Sequence, residues 1–304
     1  MKTIYMALFM ILAVFLSGCS QGAGNQNMQT QSEDSLKVAA TFFPLYDLTK
    51  DILGDKGEVF SIVPGGVEPH DYEPAPSDIK NLNDADAFVT MGVEFSQFED
   101  DLISSLPSSV KIIPAGNDIA QITVEDDDEE IKGGMDPHIW LSPKNAKIMA
   151  KNIAEGLSQI DPQNSDYYKQ NENDILSELD QLDAEYTSGL SNCKQDTILV
   201  THNAFSYMAK DYGFKTIYIS GLEPESEPSP GQLKALVDAA KANNIKVVFY
   251  EELVDPSIAQ TIANEVGAQS MVLSPLEGGS ENVDTYFTLM RKNLDNLKVA
   301  MQCN

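Results

Sequence analysis

Short apolar runs bounded by glycine, proline or polar turn residues recur along the chain and are typical of buried parallel strands. This pattern predicts four strands in each of two regions, over 36–41, 58–63, 87–91 and 111–114, then over 197–201, 216–220, 246–250 and 270–273. Apolar residues at three- and four-residue spacing predict helices between or after them, over 44–53, 78–82, 204–211, 230–242, 256–266 and 283–301. Ser77 and Ser229 are the expected caps of the helices over 78–82 and 230–242. Because strands and helices alternate, we expect an α/β fold with two doubly wound lobes.

The region between the two sets of strands has only helical periodicity. Apolar residues recur at helical spacing over 145–160 and 164–182, and Asp161-Pro162 interrupts them. This pattern predicts a long, stiff helical connection rather than a flexible hinge. The expected organisation is an N-terminal lobe over 36–142, linking helices over 143–192 and a C-terminal lobe over 193–304.

The N-terminal residues have the features of a lipoprotein signal peptide over 1–18. Lys2 precedes an apolar stretch over 4–16 that is too short for a stop-transfer helix. The stretch ends in Leu-Ser-Gly-Cys at 16–19, which predicts lipidation of Cys19; the alternative is an ordinary secretory signal with an incidental cysteine. Residues 19–35 are polar and predict a flexible tether. We therefore expect an extracytoplasmic protein that is lipid-anchored to the cell membrane.

The charge balance is strongly acidic, with a formal net charge of −27. Such a charge argues against nucleic acid as a partner and against electrostatic binding to anionic lipid, and it raises the local concentration of cations. Most acidic residues are scattered, but one run is continuous and comprises Glu125, Asp126, Asp127, Asp128, Glu129 and Glu130. Mutual repulsion predicts an exposed loop there, either merely solvated or collecting cations weakly beside a metal site.

The chain has three histidines, His70, His138 and His202, and each follows a predicted strand. Ligands of parallel sheets bind beyond the carboxyl ends of the strands, and Glu277 follows the last strand at the same edge. Three imidazoles and one carboxylate satisfy zinc, so the sequence predicts a zinc site assembled from distant segments. The alternative is that each histidine is an ordinary surface or core residue.

The segments around the first two histidines are stiffened by prolines. Such stiffening reduces the entropy cost of binding a scarce metal. Asp71 directly follows His70, and Asp136 lies two residues before His138. Either carboxylate could orient an imidazole or simply cap its loop.

Four motifs carry a resemblance to a known family. They are Pro-His-Asp-Tyr-Glu-Pro at 69–74, Asp-Pro-His-Ile-Trp-Leu-Ser-Pro at 136–143, Thr-His-Asn-Ala-Phe at 201–205 and Tyr-Glu-Glu at 250–252. From residue 36 onward the chain resembles the metal-binding lipoproteins of ABC importers for zinc and manganese. The resemblance implies two α/β lobes joined by one long rigid helix, metal in the interlobe cleft, little lobe movement and an ABC permease as partner. A monomer is expected.

The resemblance also bears on the metal. Manganese carriers of that family replace the third histidine by glutamate, so His202 implies Zn²⁺, with Mn²⁺ as the alternative cargo. The fourth position varies; Glu277 is the expected ligand, and Glu73, Glu251 or a water are the alternatives. Zinc carriers often have a histidine-rich loop before the second histidine, whereas this chain has the acidic run.

Two other functions fit parts of the sequence. Three histidines with an open fourth position also describe a catalytic zinc site, although the sequence lacks Gly-x-Ser-x-Gly, His-Glu-x-x-His and phosphate-loop motifs. A closed fourth position would leave no water to activate. An adhesin role is compatible with a lipid-anchored surface protein, but no motif indicates it.

Cys193 and Cys303 are the cysteines that remain besides Cys19. An even pair in an oxidising compartment favours a disulfide. Cys193 precedes the first strand of the second lobe, and a final helix antiparallel to the strands returns Cys303 to the same edge. We therefore expect a bridge that fastens the C-terminus.

Overall fold

The first lobe is built on a four-stranded parallel sheet. The computed structural model describes residues 35–93, 95–124, 134–222, 228–279 and 283–304. The strands are β1 (Leu36–Ala40), β2 (Gly57–Ser61), β3 (Ala87–Thr90) and β4 (Lys111–Pro114), in the order β2-β1-β3-β4. The helices of this lobe are α1 (Phe43–Leu53), α2 (Pro76–Asn83) and α3 (Gln97–Ser105). The strand order reverses direction between β1 and β3, and this position is the switch point of the sheet.

A short hairpin and two long helices lead to the second lobe. The hairpin pairs β5 (Thr123–Val124) with β6 (Gly134–Met135) in antiparallel fashion. The helices α4 (Pro143–Ile160) and α5 (Ser165–Gly189) pack against each other. Asp161 and a single 3₁₀ turn, Pro162–Asn164, separate them, as proline's missing N–H and fixed φ require. With 25 residues, α5 is about 37 Å long.

The second lobe repeats the topology of the first. Its parallel strands are β7 (Thr197–His202), β8 (Lys215–Ser220), β9 (Val247–Tyr250) and β10 (Gln269–Val272), in the order β10-β9-β7-β8. Its helices are α6 (Ser206–Tyr212), α7 (Pro230–Ala242), α8 (Ser257–Val266) and α9 (Tyr286–Ala300). In each sheet the first strand lies between the second and the third. The switch point of this sheet is between β7 and β9.

The predicted α/β class with two parallel sheets is confirmed, with local differences. The helix α3 was not predicted, because only a few of its residues are apolar and acidic ones lie between them. The expected cap of α2 was wrong: Ala75 is the N-cap, and its N–H donates to Asp78 Oδ2 at 2.7 Å. Ser229 caps α7 as expected, with its side chain accepting from the Gln232 N–H.

Hydrogen bonds and apolar packing join the two lobes. Trp140 lies just before α4, and Pro275 lies just after β10. The indole N–H of Trp140 donates to the Pro275 carbonyl at 2.7 Å. The Tyr286 hydroxyl at the start of α9 donates to the Trp140 carbonyl at 2.7 Å, and the Tyr286 N–H donates to Asp47 Oδ2 of α1 at 2.7 Å. Trp140 and Tyr286 belong to one apolar core that includes residues of both sheets. The helix α5 contacts both α1 and α9, so the lobes are held together at several points.

The described residues all belong to one unit, Ser35–Asn304. None of the helices in these residues combines the length and apolar composition that a bilayer crossing requires. The predicted signal peptide, Cys19 and the tether up to residue 34 lie outside the described residues, as does the acidic run over 125–130. The domain boundaries at 36, 143 and 193 stay predictions.

Candidate metal centre

His202 lies at the switch point of the second sheet. It is the last residue of β7, whereas the sequence predicted it just after the strand. Glu251 directly follows β9, the strand across the switch point, and its Oε1 lies 2.5 Å from His202 Nδ1. The carboxylate therefore directs the other ring nitrogen, Nε2, away from β9.

His138 is held by the aspartate two residues before it. Asp136 Oδ1 lies 2.8 Å from His138 Nδ1 and accepts the His138 backbone N–H at 2.9 Å. The Asp136 carbonyl in turn accepts the Tyr207 hydroxyl of α6 at 2.8 Å. Asp136 thus fixes both the backbone and the ring of His138, which is the role that the sequence offered for it.

Glu277 is placed by a loop with an uncommon backbone conformation. Leu276 has φ of 66°, in the left-handed region that costs a non-glycine residue about 1–3 kcal/mol. Asn293 of α9 holds the loop by accepting the Ser274 N–H at 2.9 Å and donating to the Ser274 carbonyl at 2.6 Å. Gly279 follows, and a Cβ there would lie 2.3 Å from a Phe43 ring atom. The loop therefore packs closely against α1.

His70 lies in the proline-rich loop between β2 and α2. Its backbone N–H donates to Glu68 Oε1 at 3.2 Å, and its side chain is 2 % exposed. The ring packs against Phe95 with 5.3 Å between ring centres. Burial against this aromatic surface restricts the orientation of the imidazole.

The three imidazoles and the Glu277 carboxylate meet in one cluster. One donor atom from each of His70, His138, His202 and Glu277 lies within 4.8 Å of all the others. Glu277 Oε1 lies 3.5 Å from His70 Nε2 and 3.7 Å from His138 Nε2. The Nε2 atoms of His138 and His202 are 2.9 Å apart.

These separations suit a four-coordinate cation. Ligand atoms on a tetrahedral zinc with bonds of about 2.0–2.1 Å lie roughly 3.3 Å apart. The His138, His202 and Glu277 side chains are fully buried. A buried cluster of three imidazoles and one carboxylate has the donor set of a closed zinc site.

The electrostatic environment of the two fully buried histidines differs. Burial lowers the pKa of His138 to about 4, despite the hydrogen bond and charge of Asp136. Burial also disfavours the charged form of His202, but the Glu251 carboxylate outweighs it and the pKa of His202 is raised. Protons therefore compete with a cation for His202 before they compete for His138.

Glu68 also lies beside this cluster, and it was not predicted from the sequence as a site residue. Burial, followed by the charge of Glu277, raises the pKa of Glu68 to about 7. Oxygens of Glu68, Glu251 and Glu277 lie within 4.8 Å of one another. The only signal in the sequence was its position two residues before His70.

Of the other predicted residues, Glu251 contacts the cluster and the rest lie apart from it. Asp71 and Glu73 are exposed. Glu251 is engaged with His202 Nδ1, so it supports a histidine. Cys193 and Cys303 form a disulfide at the opposite end of β7, where the Gln195 N–H also donates to the Met301 carbonyl at 3.0 Å.

The fold and this cluster are those of a metal-binding solute-binding protein. Residues 38–300 match the family described as zinc-uptake complex component A, periplasmic. The match includes nearly all of the described residues, and the chain belongs to this family.

Three relatives illustrate the similarity. The chain is 36% identical over 312 residues to the high-affinity zinc uptake system protein ZnuA of Bacillus subtilis, covering 97% of each chain. It is 36% identical over 297 residues to the zinc-binding protein AdcA of Streptococcus pyogenes, of which it spans only 58%. The crystal structure of the Zn(II)-bound ZnuA-like domain of Streptococcus pneumoniae AdcA is similar, with a TM-score of 0.76 and 34% identity over 88% of this chain and 99% of that one.

Proposed function

We propose that this protein captures Zn²⁺ outside the cytoplasm and delivers it to the membrane permease of an ABC importer. The observation that carries the proposal is the convergence of three imidazoles and one carboxylate within 4.8 Å. The names of the relatives, which include zinc uptake and zinc binding, support it.

In this proposal His70, His138, His202 and Glu277 bind the cation. Asp136 and Glu251 each hold an imidazole by its Nδ1, which leaves Nε2 for the metal. Such carboxylate–histidine pairs fix the tautomer and raise the basicity of the ligand. The loops that hold His138 and Glu277 are joined by the Trp140–Pro275 hydrogen bond, so two of the four ligands are positioned together.

The donor set favours zinc over manganese as the cargo. Imidazole nitrogens suit Zn²⁺, whereas Mn²⁺ prefers carboxylate, carbonyl and water oxygens. Three of the four donors here are imidazoles. Manganese remains the alternative cargo for a member of this family.

The family and the N-terminal sequence support delivery to a permease and anchoring to the membrane. We propose that lipidation of Cys19 anchors the protein and that residues 20–35 act as a tether. A tethered carrier stays near its permease, which raises the effective concentration for delivery. The proposed working form is a monomer, and the role of the acidic run over 125–130 in collecting cations belongs to the same proposal.

A carrier fits the cluster better than a hydrolase. A catalytic zinc site keeps one coordination position for water or substrate. Here Glu277 Oε1 approaches two of the imidazoles to 3.7 Å or less, where a fourth ligand would lie. The family is one of uptake components, which agrees with binding and release of the cation.

Replacement of His202 by alanine tests the proposed ligand set. We expect the affinity for Zn²⁺ to fall by several orders of magnitude, because one imidazole is lost from a site that is otherwise fixed. The measurement is competition with a chromophoric chelator, on protein purified without added metal. Circular dichroism of the variant controls for its fold. Wild-type affinity in the folded H202A variant would contradict the assignment.

A further inference from the structure

Three carboxylates meet beside the imidazoles. Oxygens of Glu68, Glu251 and Glu277 lie within 4.8 Å of one another. Glu251 and Glu277 are 2 % and 1 % exposed, and Glu68 is partly buried. Like charges this close repel in a medium of low dielectric constant, so the arrangement calls for a compensating cation.

In two of these carboxylates, only one of the two oxygens has a hydrogen-bond partner among the described residues. Glu68 Oε1 accepts the His70 N–H, and Glu251 Oε1 pairs with His202 Nδ1. The second oxygens, Oε2 of Glu68 and of Glu251, are buried and accept no hydrogen bond from the described part of the chain. A buried oxygen without a hydrogen-bond donor has lost its hydration without compensation, and a bound cation would compensate for that loss.

We infer that Glu68, Glu251 and Glu277 form a second, all-oxygen cation position that adjoins the histidine position and shares Glu277 with it. This inference deepens the proposed function and rests on it, because it concerns the same cleft. Carboxylate oxygens with water select Mn²⁺, Mg²⁺ or Ca²⁺, whereas the imidazoles select Zn²⁺. The two positions therefore differ in the class of cation that they favour.

The shared residue makes the two positions alternatives. Glu277 cannot complete both coordination shells in full, and two divalent ions a few ångströms apart repel. Glu68 is partly exposed, whereas Glu251 and Glu277 are almost completely buried. The carboxylate position is thus the outer one, where an incoming cation is held by oxygens before the imidazoles take it.

Mn²⁺ is the probe for this position, with Glu68→Gln as the test variant. Glu73→Gln is the matched control, because it removes the same charge from an exposed residue of the same loop. We expect E68Q to weaken Mn²⁺ binding by about tenfold or more relative to E73Q, the effect of losing one carboxylate contact. The affinity for Zn²⁺ should differ between the two variants by less than about threefold, since the imidazoles are unchanged. Mn²⁺ binding is followed by electron paramagnetic resonance and Zn²⁺ binding by chelator competition.

Pulsed electron paramagnetic resonance of Mn²⁺ in the full-length wild-type protein gives a second readout. The inference predicts a bound ion without coupling to imidazole nitrogen. Clear imidazole coupling, equal Mn²⁺ affinity in E68Q and E73Q, or a parallel loss of Mn²⁺ and Zn²⁺ binding in E68Q would each overturn it. Failure of the zinc ligand set appears instead as retained Zn²⁺ affinity in H202A, so the two failures are distinguishable.

Discussion

Two carboxylates orient the buried imidazoles toward the centre of the cluster. Asp136 and Glu251 each lie within 2.8 Å of a histidine Nδ1, on His138 and His202 respectively. A hydrogen bond at Nδ1 selects the tautomer whose Nε2 lone pair is available to a cation. In the proposed zinc site these two residues therefore position the imidazoles, and neither is among its four proposed ligands.

Replacing Asp136 by asparagine tests this role. We expect Zn²⁺ affinity to fall by about 10–100-fold, because the ring of His138 loses its charged partner. Asp71→Asn is the matched control, since Asp71 is exposed in the His70 loop and should leave the affinity unchanged. Chelator competition measures both variants, and equal affinities would contradict the positioning role of Asp136.

The histidines were predictable from the sequence as a group, but their partners were not. Each histidine follows a run of strand residues, and parallel strands place such residues at one edge. The pairing of Glu251 with His202 depends on β7 and β9 flanking the switch point, and strand order is not encoded in local periodicity. Glu68 lies beside the cluster because of the path that its loop takes, and no periodic signal in the sequence predicts that path.

At the scale of the element, α3 contributes a buried acid to the first sheet. Glu99 accepts the Met91 N–H at 3.0 Å and also the Thr41 hydroxyl, so one carboxyl joins the ends of β1 and β3. Burial raises the pKa of Glu99 to about 7. The switch point of the first sheet is thus closed by a carboxyl group, whereas that of the second holds a histidine.

The raised pKa predicts a pH-dependent stability for the metal-free protein. The folded state binds a proton at Glu99 up to about pH 7, whereas the unfolded state loses it near 4.5. The stability from this group is full below pH 4.5 and is lost as the pH rises through 7, by about 3 kcal/mol in all. The pKa of Asp47, which burial raises to about 6, has the same sign.

Glu99→Gln should flatten this dependence between pH 5 and 8, because glutamine keeps an acceptor and does not titrate. Urea unfolding of metal-free protein at a series of pH values measures it. The exposed Glu155 of α4 supplies the control variant E155Q, which should follow the wild-type curve. A wild-type slope in E99Q would show that Glu99 is not the titrating group.

Element boundaries followed the sequence where a physical signal marked them. The helix α7 was predicted at its observed bounds, because Ser229 and Pro230 mark its start. The helix α6 begins two residues later than predicted, since His202 extends the strand and 203–205 form the turn. The α3 segment has no cap by the Ser96 side chain and few apolar positions, so neither signal was present.

For the whole molecule, the lobes are joined on one side of the cluster and the C-terminus is fastened on the other. Trp140 and Tyr286 link the lobes near the histidine cluster. The Cys193–Cys303 disulfide closes a loop of 110 residues at the far end of β7. A cross-link over so long a loop restricts the unfolded chain, which favours the folded state.

The double variant Cys193→Ser, Cys303→Ser should therefore lose about 2–4 kcal/mol of unfolding free energy. Zn²⁺ affinity should not change, because the length of β7 separates the disulfide from His202. Guanidinium unfolding and chelator competition measure the two quantities. A large loss of affinity in a folded variant would contradict this separation of stability from binding.

In the proposed site, three imidazoles and one carboxylate hold the cation. Zinc K-edge X-ray absorption of the protein loaded with one equivalent of Zn²⁺ tests it most directly. We expect a four-coordinate shell of nitrogen and oxygen at about 2.0–2.2 Å, with the outer-shell scattering of three imidazoles. A shell that contains sulfur, or one with fewer than three imidazoles, would contradict it.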